Sequence, residues 1–373
     1  MPLEVRPLAG RADLRRFINL PAELHRDRAN WLPPVYMDEW RYFNPKRNHA
    51  FRNSEAVLAL AWRDRKPVGR TMGIIQRRHN EKTGERTARF GYLEAPEDRD
   101  VVLSLLGFVE RWARSRGMNR VVGPLGFSDQ DPEGFMVEGF DEEPLLACNQ
   151  NLPWMPGFME SAGYSKEIDY VHYLVPVPPE PPELYVKVSQ RLLRRQEYSL
   201  LEFTSRKQLK PWIYRIFELM NETYRSIYAY TELERDDMEA LAGQYLPVID
   251  PRFVKGVTNR EGKLVAFIIG MPHMNEGLRK CRGHILPFGI FHIKAAMKRT
   301  KQLDLYLGAI REDCRGKGLD VLMGTAMLKS AHAAGFERID SHHEMETNLK
   351  VRAEMERAGG VVFKRFRVYQ KPL

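Results

Sequence analysis

A basic, glycine-rich stretch in the last quarter of the chain, Cys314-Arg315-Gly316-Lys317-Gly318-Leu319, is the strongest candidate for chemistry. Glycines let a backbone approach a ligand closely, and the unpaired N–H groups at the start of a helix attract phosphate. Arg315 and Lys317 add positive charge. A plain turn that needs glycine for its backbone angles is the alternative, but the flanking elements favour an anion-binding turn.

A second group of reactive side chains lies in Ile339-Asp340-Ser341-His342-His343-Glu344-Met345-Glu346-Thr347-Asn348. His343, Glu344 and Glu346 can each accept a proton, as general-base catalysis requires. If this stretch continues a strand, His342 and His343 point to opposite faces, so at most one of them faces a cleft. Ordinary hydrogen-bonded polar residues are an equally good interpretation of each one. We predict no metal site, because no second ligand cluster has proper spacing.

The elements around the glycine turn would hold it in place. Apolar residues alternate over Leu303–Ile310, which predicts a strand, and they recur at helical spacing over Leu319–Ala334. Gly335 is a typical stop for that helix. The turn therefore joins the end of a strand to the start of a helix.

The same order of elements occurs twice in the chain. Two strands around a polar turn are followed by a third strand, a long helix closed by glycine, a short strand and a last strand. Lys66 aligns with Lys263 at an offset of 197, and three other matches stay near this offset: Ala56–Trp62 with Phe253–Thr258, Val68–Gln76 with Leu264–Met271, and Asp169–Val175 with Val361–Gln370. The long helices match in order but at an offset of 218, Val101–Arg116 with Leu319–Ala334. The series predicts a duplication, although two unrelated α/β domains of coincidental spacing would also fit.

A proline-rich run between Pro176 and Pro182 separates the two halves. Such a run is extended and cannot lie inside a helix or a central strand. We therefore predict an N-terminal domain over 1–175, a linker over 176–186 and a C-terminal domain over 187–373.

These motifs together resemble the GNAT N-acetyltransferase superfamily. The resemblance rests on Arg315-x-x-Gly318 after a strand, the long helix that follows, and Asn348 before a helix ending in Ala358-Gly359. The resemblance implies an α/β fold of two tandem GNAT-like domains, with mixed, mostly antiparallel sheets flanked by helices. The wider pattern is similar to a group of bacterial tandem-GNAT proteins, from which no substrate carries over.

The resemblance also implies roles for individual residues. Acetyl-CoA or another acyl-CoA would be the cofactor, with its pyrophosphate in the turn formed by Arg315, Gly316, Lys317 and Gly318. The strand end Ala309-Ile310 would pair with the pantetheine, and Asn348 would touch the CoA arm. The stretch holding His343, Glu344 and Glu346 would flank the thioester, so these three are the candidate catalytic bases.

Three departures from the superfamily pattern matter. The last motif position is Asp320, a carboxylate whose charge opposes phosphate unless it points away. Met355 stands where superfamily members often have a tyrosine that protonates the thiolate. The first half has an acidic helix start, Ala95-Pro96-Glu97-Asp98-Arg99-Asp100, in place of the turn. We therefore expect only the second half to bind CoA, and the degenerate first half to shape the acceptor cleft or to be structural.

Two further segments have no match in the other half. The acidic loop Ser128–Pro144 is either a wall of an amine-binding cleft or a solvated surface insertion. The basic segment Asn275–Lys301 has seven Lys or Arg against one Glu and several large apolar residues. It would be a lid over an acyl chain, an interfacial membrane contact, a nucleic-acid patch, or a helical insertion packed onto the partner domain.

Composition excludes several classes of protein. The 373 residues are 43% hydrophobic and 29% charged, as in globular proteins and unlike disordered or fibrous chains. Three scattered cysteines are too few for a disulfide framework, and neither a signal peptide nor a membrane-spanning apolar run is present, so we expect a cytoplasmic location. The net charge is +9, and residues 251–373 carry 23 Lys/Arg against 12 Asp/Glu.

The leading hypothesis is an acyl-CoA-dependent N-acyltransferase, in the first instance an acetyltransferase, acting on a small-molecule or peptide amine. A transferase taking aminoacyl groups from tRNA is one alternative, and a non-catalytic GNAT-like protein that binds CoA or a partner is another. Because the positive charge is concentrated beside a cofactor side and faces an acidic acceptor side, we do not predict a nucleic-acid partner. The oligomeric state stays open.

Overall fold

The computed structural model describes residues 2–373. In the first half of the chain the strands are β1 (Glu4–Pro7), β2 (Ser54–Arg63), β3 (Lys66–Gln76), β4 (Thr87–Glu94), β5 (Arg120–Gly123), β6 (Phe135–Glu138) and β7 (Ser165–Pro176). The helices of this half are α1 (Arg11–Leu24), α2 (Tyr36–Tyr42), α3 (Arg77–Thr83), α4 (Arg99–Ser115) and α5 (Met155–Ser161).

The second half repeats the strand pattern and adds helices. Its strands are β8 (Tyr198–Glu202), β9 (Val254–Asn259), β10 (Leu264–Pro272), β11 (Gln302–Ile310), β12 (Arg338–Asp340), β13 (Glu344–Met345) and β14 (Val361–Pro372). Its helices are α6 (Glu183–Arg194), α7 (Arg206–Leu209), α8 (Ile213–Thr223), α9 (Arg235–Tyr245), α10 (Asn275–Lys280), α11 (Gly289–Arg299), α12 (Leu319–Ala333) and α13 (Leu349–Arg357). Since α6 already begins at Glu183, the extended connection is shorter than the predicted linker.

Contacts divide the chain into two compact units. Unit 1 comprises the residues up to Val171, together with Asn275–Ile293 and Phe363–Leu373, and unit 2 comprises His172–Met274 and Lys294–Val362. These units differ from the continuous domains 1–175 and 187–373 that the sequence predicts. The difference arises because the end of β7 belongs to unit 2, most of β14 belongs to unit 1, and residues 275–293 of the basic segment also belong to unit 1.

In unit 1 the strands follow the order β1-β2-β3-β4-β5-β14, with the first part of β7 beside β14. β4 and β5 are parallel, whereas β1, β2, β3 and β14 pair antiparallel with their neighbours. Helix α4 buries Val101, Leu105 and Val109 against this sheet because apolar residues recur along one of its faces. The last strand of the chain enters here, with Tyr369 opposite Gly123.

In unit 2 the order is β7-β12-β11-β10-β9-β8, where only the end of β7, from His172 to Pro176, takes part. β11 and β12 are parallel and the other pairs are antiparallel. Helix α12 buries Leu319, Leu322 and Met323 against the sheet. The predicted fold class is confirmed, because each unit is a mixed, mostly antiparallel sheet flanked by helices.

The basic segment is a helical insertion, and its residues 275–293 belong to unit 1. The guanidinium of Arg279 donates to both carboxylate oxygens of Glu143, at 3.1 and 2.7 Å, and the amide of Asn275 donates to Glu143 and to the carbonyl of Pro144. The segment is therefore a helical insertion whose α10 packs against residues of the first half, as one of the predicted alternatives states. None of the helices within residues 2–373 has the length and apolarity that crossing a bilayer requires.

Candidate active site

The parallel strands β11 and β12 of unit 2 separate partway along their length. They pair through only three positions, Gln302 with Arg338, Leu303 with Ile339 and Asp304 with Asp340. β11 then continues to Ile310, while the chain after Asp340 leaves the ladder. The described part of unit 2 therefore has an opening between the second half of β11 and the residues that follow β12.

A β-bulge lies on β11 at the beginning of this opening. In the ladder with β10, Gly270 pairs with Leu305 and Ile269 pairs with Leu307, so Tyr306 is the extra residue. A bulge changes the direction of the backbone and the side chain at that position. The ring of Tyr306 lies 5.6 Å from the ring of His342, which belongs to the other side of the opening.

The backbone of β11 beyond the bulge presents alternate residues to the opening. The hydroxyl of Tyr224 donates to the carbonyl of Gly308 at 3.0 Å and accepts from its N–H at 3.2 Å. Arg315 donates to the carbonyl of Ile310 at 3.2 Å. The backbone N–H and C=O groups of successive residues in a strand point to opposite sides, so those of Ala309 face β10 instead. Of the predicted pantetheine contacts, only Ile310 thus has a backbone group on this side.

The predicted anion-binding turn has the required backbone conformation. Gly316 and Gly318 adopt φ of 72° and 83°, which favours glycine, and α12 begins directly afterwards. Leu322 donates its N–H back to the carbonyl of Gly318 at 3.0 Å. The amides before Leu322 have no acceptor within the helix, as at every helix start, and Arg315, Gly316 and Lys317 are exposed beside them.

The carboxylate of Asp320 is engaged with helix α13. Burial, followed by the charge of Asp320 and a hydrogen bond with it, raises the pKa of Glu354 to about 7. A carboxyl that keeps its proton near neutral pH can donate to a neighbouring carboxylate. Asp320 therefore has a partner other than a bound phosphate, which reduces the electrostatic objection that the sequence raises.

An Asp–His–His chain lies at the point where β11 and β12 separate. Nδ1 of His172 lies 3.1 Å from Oδ1 of Asp340, and Nε2 of His172 lies 2.6 Å from Nδ1 of His343. Asp340 and His172 are fully buried, whereas His343 is half-buried. Asp340 also accepts the backbone N–H of His342 at 3.0 Å.

The proton positions in this chain follow from the hydrogen bonds when Asp340 is ionised. An ionised Asp340 only accepts, so His172 donates from Nδ1 and accepts at Nε2. His343 must then donate from Nδ1, which makes Nε2 its basic nitrogen. A proton taken up at that nitrogen is stabilised by the buried charge of Asp340 through His172.

The predicted alternation of the two histidines is wrong. The rings of His342 and His343 are stacked, with centroids 4.9 Å apart, because His342 has a φ of 60° and interrupts the strand. Only Glu344 and Met345 return to a strand, β13. Both histidine rings therefore lie on the same side of the backbone instead of on opposite faces.

The other candidate residues occupy different surroundings. Burial, with a smaller contribution from Glu354, raises the pKa of Glu344 to about 8, so this carboxyl is mostly protonated at neutral pH. The carbonyl of Glu346 accepts from Arg352 at 3.1 Å. Asn348 is the N-cap of α13, and its side-chain oxygen accepts the N–H of Val351 at 3.5 Å. Of the predicted bases, His343 has the geometry that best suits proton transfer.

Unit 1 keeps the bulge but fills the corresponding opening with its own chain. Arg70 pairs with Glu94 and Met72 with Gly91, and Tyr92 in the bulge has a φ of 52°. The N–H of Leu125 donates to the carbonyl of Phe90 at 2.8 Å. A Cβ on Gly91 would lie 2.5 Å from the carbonyl oxygen of Leu125, so the two segments are in direct contact.

The helix start that would bind phosphate in unit 1 is already capped. The side chain of Asp98 accepts the N–H groups of Asp100 and Val101, at 3.1 and 3.3 Å. A carboxylate at this position satisfies the helix amides and repels a second anion. Both differences support the expectation that unit 2 alone holds the cofactor.

The acidic loop of unit 1 is partly buried, so a solvated insertion does not describe its first part. Asp131 accepts from the hydroxyl of Tyr42 and from the N–H groups of Phe127 and Ser128, at 2.9, 2.7 and 3.2 Å. Burial raises the pKa of Asp131 and, to a greater extent, that of Glu133, where nearby Asp129 adds to the effect. The side chains of Asp131 and Glu133 therefore lie largely inside unit 1 and not on a solvated surface.

Among solved structures, the chain is similar to the tandem GNAT protein from the clavulanic acid biosynthesis pathway. The match covers 100% of this chain and 98% of that one, with a TM-score of 0.57 and 14% identity. The fold is therefore the tandem GNAT fold, and the resemblance seen in the sequence is confirmed at that level. No protein-family model matches the chain.

Two curated proteins are similar to the chain over nearly their full lengths. The bacterial ceramide synthase of Caulobacter vibrioides is 28% identical over 380 residues, covering 100% of this chain and 98% of that protein. Protein YghO of Escherichia coli is 24% identical over 382 residues, covering 99% and 95%.

Proposed function

We propose that the protein is an acyl-CoA-dependent N-acyltransferase whose reaction takes place in unit 2. The observation that carries the proposal is the Asp340–His172–His343 chain at the separation of β11 and β12. A partly accessible imidazole backed by a buried carboxylate is a suitable general base near neutral pH. The anion-binding turn at the end of the same strand would hold the pyrophosphate of the cofactor.

In the proposed reaction the neutral amine attacks the carbonyl carbon of the thioester. Nε2 of His343 takes the proton that the nitrogen loses, a new C–N bond forms, and the C–S bond breaks. The leaving thiolate then takes the proton from the imidazolium, so His343 returns to its starting state. This return route needs no tyrosine at the position of Met355. A backbone N–H near the bulge at Tyr306 would stabilise the oxyanion.

We further propose that the acceptor is an amine with a long hydrocarbon chain. A ceramide is such an amine acylated on nitrogen, and the bacterial ceramide synthase matches this chain from end to end. Acetyl-CoA and a long-chain acyl-CoA are then competing donors, and the second is the one that yields a ceramide. The tRNA-dependent and non-catalytic alternatives have no comparable support.

The test combines binding with turnover. Purified protein is titrated with CoA, acetyl-CoA and palmitoyl-CoA, then incubated with sphinganine, while released thiol and N-acyl product are measured. We expect binding of an acyl-CoA and product formation, with His343→Ala binding normally but turning over at least about a hundredfold more slowly. Failure to bind CoA or either of the two thioesters contradicts the proposal. Binding of tRNA without CoA would support the aminoacyl alternative instead.

A further inference from the structure

A short segment of unit 1 holds three large apolar side chains outside the core. Leu286, Phe288 and Phe291 are 68%, 71% and 65% exposed. They lie close together in sequence, in the turn before α11 and in its first turn. Neighbouring exposed hydrophobic residues of this size generally mark a surface that contacts something else.

The segment is anchored so that these side chains stay outside. Leu278 and Ile293 are 0% and 3% exposed and form its inner face. A Cβ on Gly283 would lie 2.1 Å from the carbonyl oxygen of Pro34, and the carbonyl of Gly283 accepts the N–H of Tyr36 at 3.2 Å. The segment thus already has an apolar face in the core, and the exposed residues form a second one.

The charge of the segment indicates an anionic partner. Between Cys281 and Lys301 the sequence has no Asp or Glu, and its basic residues are Arg282, Lys294, Lys298, Arg299 and Lys301. Arg282 and Lys294 are exposed on either side of the apolar residues. Exposed apolar side chains flanked by Lys and Arg are typical of segments that lie in a membrane interface and bind anionic lipids.

The size of the apolar surface does not suit a second protein chain. A stable protein–protein interface buries about 800 Å² on each partner. Large apolar side chains bury roughly 150–250 Å² each. Three of them, each already about a third covered, supply roughly half of that area.

We propose that residues 282–294 form a docking surface for an anionic phospholipid bilayer. Leu286, Phe288 and Phe291 insert among the acyl chains, while Arg282 and Lys294 contact the headgroup phosphates. This contact places the protein at the bilayer surface without a spanning helix. The inference goes beyond the proposed acyl transfer and stands without it.

The test is co-sedimentation with vesicles of phosphatidylcholine, alone or mixed equally with phosphatidylglycerol. We expect the intact chain to sediment with the mixed vesicles and to be released by salt. The triple variant Leu286→Ser/Phe288→Ser/Phe291→Ser should bind at least about tenfold more weakly. Arg282→Gln and Lys294→Gln should each weaken binding about fivefold.

The matched control is Leu184→Ser/Leu193→Ser, which removes two hydrophobic side chains of α6 that are 67% and 43% exposed. It should sediment like the unchanged chain, and thermal unfolding should show all variants folded. The proposal is overturned if the intact chain stays in the supernatant, or if the triple variant sediments equally well. It is also overturned if the triple variant converts a dimer to a monomer, or weakens palmitoyl-CoA binding, with vesicle binding unchanged.

Discussion

Replacement of Asp340 by asparagine tests the Asp–His–His chain most directly. The side chain is fully buried, and Oδ1 accepts from His172 and from the N–H of His342 at 3.1 and 3.0 Å. Asparagine has the same size, so the fold should be kept. If its amide nitrogen faces His172, that ring must accept at Nδ1 and donate at Nε2.

The change of tautomer at His172 also changes the tautomer of His343, the proposed base. A His172 that donates from Nε2 forces Nδ1 of His343 to accept, which moves the proton of His343 to Nε2, the nitrogen that must take the proton of the amine. Even in the other amide orientation, the charge that stabilises the imidazolium is lost. General-base catalysis contributes about 10²–10⁴ in rate, so we expect Asp340→Asn to lower kcat by about 10²–10³.

The chain contains a matched control for this experiment. Asp304 pairs in register with Asp340, is also buried, and accepts from Nδ1 of His273 at 2.8 Å. Asp304→Asn thus replaces a second buried carboxyl that has a histidine partner on the same ladder, without touching His343. We expect Asp304→Asn to keep kcat within a few-fold while losing stability similar to that lost by Asp340→Asn.

The assay is steady-state acyl transfer with palmitoyl-CoA, accompanied by calorimetric CoA titration and thermal unfolding. Affinity for CoA should stay within about twofold in both variants, because neither carboxyl lies in the anion-binding turn. The reasoning is refuted if Asp340→Asn keeps more than about a third of kcat, or if Asp304→Asn loses as much activity as Asp340→Asn.

Three further predictions concern the glycine turn and the partly buried carboxyl of Glu344. Arg315→Ala/Lys317→Ala should weaken CoA binding at least about tenfold and reduce its salt dependence, as calorimetry at two salt concentrations would show. Gly318→Ala should lower the free energy of unfolding more than Gly316→Ala. Both glycines have positive φ, but only at Gly318 would a Cβ lie 3.1 Å from another side chain, that of Val188. Equal losses of free energy in denaturant titrations would contradict this. The pKa of Glu344 rises from 4.5 to about 8 on folding, so the stability of the fold declines as the pH rises from about 4.5 towards 8. Glu344→Gln should flatten this decline when Tm is measured against pH, and an unchanged dependence of Tm on pH would contradict the prediction.

Local patterns predict much of this fold correctly. Strands predicted over Val68–Gln76 and Leu303–Ile310 appear as Lys66–Gln76 and Gln302–Ile310, and the helix predicted over Leu319–Ala334 ends one residue earlier. These elements bury one face of their own sequence, so periodicity alone reveals them. The glycine turn is equally local, because its positive φ angles need glycine at fixed positions.

Features that depend on distant partners could not be predicted in this way. His172 is 168 residues away from Asp340, and nothing in the sequence around it separates it from an ordinary strand residue. The last strand of the chain pairs with β5 of unit 1, and its own alternation is the same whichever strand it joins. The stacking of His342 on His343 depends on one left-handed residue, which a period-two pattern does not anticipate.

Two structural differences between the units bear on the cofactor site that we propose for unit 2. Both have a parallel strand pair that separates early and a bulge on the longer strand, so sheet geometry alone does not produce a site. Unit 1 differs by the cap at Asp98 and by the bond from Leu125 to Phe90. Because the two differences involve different residues, restoring glycine and basic residues near Asp98 would leave the bond from Leu125 to Phe90 in place. The acyl-CoA site proposed for unit 2 therefore depends on two features together, a helix start without a side-chain cap and the separation of β11 from β12 beyond Asp304 and Asp340.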